Sequence, residues 1–221
     1  MERRCRVNIV FDLDGTLIHS APDIRAAANS ALAAEGAEAL DMDTTIAFIG
    51  NGVPKFAERA VRLRGLGDGA EARVTQGMLE FFDRNPAEFS RLYDGIEQLL
   101  PALRADGHRL GICTNKPEAP ARAILDILGI ADAFDVVFGG DSLPVKKPDP
   151  APLHATFEAL GGGARLYVGD SEVDAETAAR AGVPFALYTE GYRKVPVEGL
   201  THEFRFSDFA ELGNFIATRD A

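Results

Sequence analysis

The residues best suited to chemistry in this chain fall into four short groups. The first is Asp12-Leu13-Asp14-Gly15-Thr16: two carboxylates two residues apart, a glycine and a hydroxyl. The others are Thr114-Asn115, the pair Lys146-Lys147 ahead of Pro148, and Asp170 with Asp174 four residues on. Two carboxylates facing one small volume repel, and one is driven towards its neutral form unless a bound cation compensates. Each group also has a plainer reading. Asp12 and Asp14 can be solvated carboxylates, Thr114 and Asn115 a helix cap, and the lysines solvated loop charges. Asp170-Ser171 can cap a helix, with Asp174 a favourable charge in its first turn.

The elements that carry these groups decide between the two readings. Val7 to Phe11 is a mostly apolar run too short for a helix, and it ends abruptly at Asp12. A buried central strand reads this way when its carboxyl end opens on a ligand site. From Ser20 to about Phe89 no strand is expected, only alanine-rich helical pattern. Helices are predicted over 23–34, from Thr44 to Gly50, over 53–63 behind Pro54, and over 71–83, with a break at Asn85-Pro86. Strand and helix then alternate: helix 96–105, strand 109–113, helix 119–128, strand 135–138, helix 151–160, strand 166–168, helix 173–181 and strand 185–188. A weak strand near Phe204 and a helix over 209–216 end the chain. The fold class is therefore α/β, a doubly wound parallel-sheet core with a small helical bundle inserted after the first strand. In such a sheet, ligands bind at the carboxyl ends of the strands. All four groups fall at or beside those ends, so four independent plain explanations lose to one shared site.

Composition narrows the partners. The 221 residues carry a formal net charge of −11, with 46% hydrophobic and 26% charged residues. That suits one soluble globular domain with an insertion, and it leaves no basic footprint for nucleic acid or anionic lipid. No stretch is long enough to span a membrane, and Met1-Glu2-Arg3-Arg4-Cys5-Arg6 leads straight into the acidic turn instead of a signal-peptide core, so a cytoplasmic protein is expected. Cys5 and Cys113 are too few and too dispersed for a disulfide framework or a zinc site, and Cys113 reads as a small apolar residue of a core strand.

Asp12-Leu13-Asp14-Gly15-Thr16, Thr114-Asn115, Lys147-Pro148 and Gly169-Asp170-Ser171-Glu172-Val173-Asp174 resemble the four signature motifs of the haloacid dehalogenase superfamily, in that family's order and over essentially the whole chain. Within it, Ser20-Ala21-Pro22-Asp23-Ile24, Ile49-Gly50-Asn51-Gly52 and Thr189-Glu190-Gly191-Tyr192-Arg193 are similar to bacterial phosphoglycolate phosphatases. The resemblance implies a core over residues 1–18 and 90–221 and a mobile α-helical cap over 19–89. It implies Mg²⁺-dependent, two-step phosphoryl transfer, with Asp12 as nucleophile and Asp14 as the acid and later the base. Asp12, the backbone carbonyl of Asp14 and Asp170 would be the metal ligands, with Asp174 beside them as ligand or support. Lys147, chosen over Lys146 because Pro148 follows it, would offset charge on the transferring group. Thr114, with Asn115 beside it, and nearby backbone N–H groups would hold its oxygens, and Thr16 is placed with the substrate-binding residues. Asp14 speaks against dehalogenation, because halide departs without an acid.

Substrate choice is expected in the cap. Gly50-Asn51-Gly52 could turn backbone N–H groups towards an anion, or simply join two helices. Lys55 and Arg59, one helical turn apart, could reach a substrate carboxylate or form a solvated face, and Arg193 is a similar candidate. His19 stands where the resembled family usually has Asp. The expected reaction is hydrolysis of a small phosphorylated acid such as 2-phosphoglycolate, by a monomer or homodimer. The alternatives are a phosphosugar mutase of the β-phosphoglucomutase kind, a phosphatase for another small sugar phosphate, a non-catalytic binder on the same scaffold, and a Lys Schiff-base phosphonatase.

Overall fold

The computed structural model describes residues 6–219; Cys5 lies outside the described residues. In chain order the elements are β1 (Val7–Phe11), β2 (Ile18–His19), α1 (Ala21–Ala34), α2 (Met42–Phe48), α3 (Val53–Arg64) and α4 (Ala70–Arg84). Next come β3 (Arg91–Leu92), α5 (Ile96–Ala105), β4 (Arg109–Cys113), α6 (Glu118–Ile127), β5 (Val136–Phe138) and α7 (Ala151–Leu160). The chain closes with β6 (Ala164–Gly169), α8 (Glu172–Ala181), β7 (Phe185–Tyr188), β8 (Phe204–Phe206) and α9 (Phe209–Arg219).

Over the described residues, one six-stranded sheet runs in the order β5-β4-β1-β6-β7-β8, every pair parallel. The chain winds from β1 out through β4 to β5, then returns to β6 on the other side of β1, so the order reverses there. A crevice at the carboxyl ends is the geometric consequence. β1 pairs with β4 in the register Phe11↔Ile112 and with β6 in the register Phe11↔Val168. Those registers bring the ends of all three strands level. Side-chain alternation explains why β1 is mostly apolar on both faces, with the buried Asn8 donating to Gly161 O at 2.7 Å. Ile9 and Phe11 join the core under α5 and α9, while Val10 joins Phe157, Tyr167 and Leu187 on the other side.

The helices α1 to α4 pack a separate apolar cluster around Leu32, Phe56, Val74, Met78 and Phe82. Small residues set the α1–α4 spacing: a Cβ on Gly77 would stand 3.0 Å from that of Ala31. The strand pair that joins this bundle to the sheet has no counterpart in the sequence pattern. β2 and β3 pair antiparallel, Ile18 with Leu92 and His19 with Arg91, and two residues each are too few to show alternation. Asp23 ties the same junction. Instead of only opening α1, its buried carboxylate accepts from the backbone N–H groups of Glu88, Phe89 and Ser90 and from Ser90 Oγ. His19 is half-buried there, its Nδ1 3.0 Å from Tyr192 Oη.

Candidate active site

At the tip of β1, Asp12 N donates to Val168 O at 2.8 Å, so the first carboxylate leaves the sheet level with the end of β6. The chain then turns at Gly15, whose φ of +89° is open to glycine and strained for other residues. A Cβ there would stand 2.6 Å from Asp170 Oδ2. Gly191 is equally tight, with a Cβ 2.3 Å from that of Asp170. Backbone therefore closes around Asp170 from two sides, and its oxygens accept from Thr16 Oγ1 at 2.7 Å and Tyr192 N at 2.6 Å. Thr16 is fully buried and holds Asp170 in place; it does not line the cavity described below.

Oxygens of Asp12, Asp170 and Asp174 come within 4.8 Å of one another, and all three residues are buried. One ammonium serves two of them, Asp12 and Asp174. Lys147 Nζ lies 2.9 Å from Asp12 Oδ1 and donates to Asp174 Oδ1 at 2.7 Å and Tyr167 Oη at 2.9 Å. Tyr167 in turn donates to Asp174 Oδ1 at 2.7 Å. Asp174 Oδ2 takes the N–H groups of Asp170 and Ser171 and the hydroxyl of Ser171, which makes a capping box at the start of α8. Both Asp174 oxygens are thus engaged by protein donors. Asp12 Oδ1 is different: it is buried and no aligned hydrogen bond reaches it.

The electrostatics follow from this arrangement. Burial, aided by the Asp174 charge, pushes Asp12 up to about 7 against the pull of Lys147. Burial and the charges of Asp174 and Asp12 push Asp170 well above the ordinary carboxylate range. Burial would also raise Asp174, but Lys147 and its other donors outweigh it and hold that carboxyl low. Burial would lower Lys147, yet Asp12 and Asp174 hold it charged. Three buried carboxylates against one ammonium leave an excess of two negative charges. A divalent cation cancels that excess and gives Asp12 Oδ1 a second partner beside the Lys147 ammonium, so these residues fit a metal. Asp14 contributes no side-chain oxygen to the cluster.

Asp14 faces the other way, into a cavity between the sheet ends and the helical bundle. It accepts from Ser20 Oγ at 2.5 Å and is ion-paired at 3.2 Å with Lys116, a buried lysine just past the tip of β4. Thr114 and Asn115 line the same cavity, while Ile49, Val53, Phe56, Met78 and Phe82 form its apolar far wall. Asn115 bridges the two sides, its Nδ2 donating to Gly50 O at 2.9 Å and Lys147 O at 3.0 Å. The Phe48–Gly52 loop presents carbonyls here: Lys194 Nζ donates to Ile49 O at 2.6 Å, and Arg59 donates to Phe48 O and Asn51 Oδ1. Gly50 lines the cavity; Asn51 and Arg59 do not. Lys55 is exposed and pairs with Glu58, and Arg193 donates to Thr189 O. Burial pushes the Cys113 thiol up to about 12, in keeping with an unreactive core residue.

Pattern alone gave no site role to Tyr167, Lys194 or Lys116, and Tyr192 stood out only as part of Thr189-Glu190-Gly191-Tyr192-Arg193. Lys116 carried a usable signal, because it directly follows Thr114-Asn115 at a strand end.

The family model for haloacid dehalogenase-like hydrolases matches residues 8–182. A phosphoglycolate phosphatase of Cereibacter sphaeroides is 49% identical over 210 residues, covering 94% of this chain and 96% of that protein. One from Rhodospirillum rubrum is 44% identical over 216 residues, covering 94% and 90%. A crystal structure described as a predicted phosphoglycolate phosphatase from Haemophilus somnus superposes with a TM-score of 0.89 at 32% identity, covering 94% of this chain and 96% of that one. Among the described residues, no helix is long and apolar enough to cross a membrane.

Proposed function

The chain belongs to the haloacid dehalogenase-like hydrolase family, and on that premise we propose that it hydrolyses 2-phosphoglycolate to glycolate and phosphate through an aspartyl-phosphate on Asp12. It is a phosphoric monoester hydrolase of the phosphoglycolate phosphatase-like kind. The observation that carries the mechanism is the division of labour across one turn: Asp12 beside Lys147 in the buried cluster, Asp14 two residues on in the cavity.

Asp12 attacks phosphorus in line; a bond from its carboxylate oxygen to phosphorus forms as the ester P–O bond breaks. The departing glycolate oxygen is a strong base, and Asp14 hands it a proton. Asp14, now ionised, takes a proton from water as that water attacks phosphorus and frees Asp12. Lys147 sits against Asp12 and offsets charge on the transferring group, while Thr114 offers its hydroxyl from the tip of β4. Mg²⁺, held by Asp12, Asp170 and the backbone carbonyl of Asp14, would supply Lewis-acid stabilisation of the phosphoryl oxygens. Asp174, saturated by protein donors, fixes Lys147. The helices of residues 19–89 act as the cap that encloses the ester, and Asn115 and Lys194 hold that cap to the core.

The test is a panel of small phosphate esters assayed with Mg²⁺ for free phosphate. A preference for 2-phosphoglycolate of at least about tenfold, or about 1.4 kcal/mol of transition-state discrimination, is expected. No preference, or isomerisation of a sugar phosphate without phosphate release, would overturn the proposal.

The acidic cluster also predicts how the cation acts on stability. Asp12 is raised in the fold, so between about pH 4 and pH 7 the folded chain keeps a proton that the unfolded chain has lost. The cation-free protein should therefore lose stability as pH rises through that window, and Asp170 adds in the same direction. Protons and cation compete for the same oxygens. At pH 8, Mg²⁺ at about 100 times its Kd should add about 2.7 kcal/mol, or roughly 5–10 °C in Tm. At pH 5 the gain should shrink to a small fraction of that. Equal gains at both pH values in a thermal melt would count against the cluster as the site.

A further inference from the structure

We propose that Lys116 is the specificity-determining residue of this site, the group that pairs with the substrate's carboxylate; the assignment rests on the phosphoglycolate reading above. The cavity must hold a molecule with two anionic ends. Its inner end, at Asp12 and Thr114, suits phosphate. Of the described residues that line it, Lys116 alone carries a positive charge. The sequence-based candidates for this task are engaged elsewhere: Lys55 with Glu58 on the outside, Arg59 with the Phe48–Asn51 loop.

Lys116 is built into place from both directions. Its N–H donates to Thr114 Oγ1 at 3.2 Å, and its carbonyl accepts from Gly140 N at 2.8 Å. A Cβ on Gly140 would stand 2.4 Å from Asn115 O, so the loop after β5 presses directly on this turn. The ammonium lies 4.9 Å from the centre of the Phe82 ring, on the apolar cap wall. Its acidic partner is Asp14, at 3.2 and 3.5 Å from the two carboxylate oxygens. In an apolar enclosure an ammonium needs an anion. An ester with a carboxylate one carbon from its bridging oxygen offers a second one, and Lys116 exchanges Asp14 for it. An ester with a methyl group there offers none, and Lys116 stays on Asp14. Discrimination therefore arises beside the proton donor, not on the outer face of the cap.

Two substrates of nearly equal size separate this role from a structural one: 2-phosphoglycolate and ethyl phosphate, with kcat/KM measured for each in wild type, Lys116→Met and Lys116→Arg. Wild type should prefer 2-phosphoglycolate. Lys116→Met should shrink the ratio of the two values by about 10- to 100-fold, the scale of a charge-assisted hydrogen bond. Lys116→Arg, which keeps the charge, should retain most of the ratio. A purely structural loss would lower both substrates alike and leave the ratio intact. If wild type discriminates and Lys116→Met discriminates equally well, the assignment falls alone. If wild type does not discriminate, the assignment falls together with the substrate reading.

Discussion

Asp12→Asn should abolish hydrolysis, with kcat at least about 10⁴-fold below wild type for every phosphate ester, because the carboxamide keeps the shape of the side chain and loses its nucleophilic oxygen. The loss should not come from unfolding. Asp12 is a buried carboxylate raised by desolvation, so a neutral isostere relieves a cost in the cation-free protein. Its melting temperature without cation should stay level or rise at pH 8, while the gain on adding Mg²⁺ should diminish because one ligand is gone. Circular dichroism melts beside a phosphate-release assay read both effects. Residual turnover within about tenfold of wild type would remove Asp12 from the chemistry.

Asp14→Asn should produce a different defect. With 2-phosphoglycolate the leaving oxygen has no proton donor, and kcat should fall by about 10²–10⁴-fold. p-Nitrophenyl phosphate releases a stable phenolate that needs no acid, so the first step should survive. The second step still lacks its base. The expected trace is therefore a burst of nitrophenol equal to one enzyme equivalent, then near-arrest. Asp14 is held by Ser20 and Lys116 on the wall of the apolar cavity, with no side-chain oxygen in the acidic cluster. That separation is why its loss should spare phosphorylation and stop hydrolysis. Equal losses on both substrates with no burst would assign Asp14 a binding role instead.

What was legible in the sequence follows from the range of the interactions involved. Val7–Phe11, Arg109–Cys113 and Phe185–Tyr188 stand out because strands buried on both faces must be mostly apolar, the buried Asn8 donating to Gly161 O, and the groups at their ends then interrupt that run. The motif order placed Asp12, Thr114, Lys147 and Asp170 at one sheet edge; the registers of β1 with β4 and β6 bring the strand ends that carry Asp12, Thr114 and Asp170 level, and Lys147 reaches Asp12 through its ion pair. The helices of the insertion were legible from Pro and Gly at their ends. What could not be read was which partner each helix face would find. Lys55 and Arg59 do share one face of α3, but periodicity carries no information on whether that face meets solvent, a loop or the cavity. Tyr167 looks like any core aromatic until the crossover from β1 to β6 sets its hydroxyl between Lys147 and Asp174. The β2–β3 pair is set by contacts 72 and 74 residues apart in the chain and has no local signature.

The central claim is that one carboxylate of the acidic cluster becomes phosphorylated. It is tested most directly by acid-quenching Asp14→Asn at the plateau of its p-nitrophenyl phosphate burst and mapping the phosphoryl group by peptide mass spectrometry. The account predicts one phosphoryl group per chain, on the peptide carrying Asp12 and labile to hydroxylamine as an acyl phosphate must be. A burst with no phosphoryl group on the protein, or with the group on any residue other than Asp12, would contradict it.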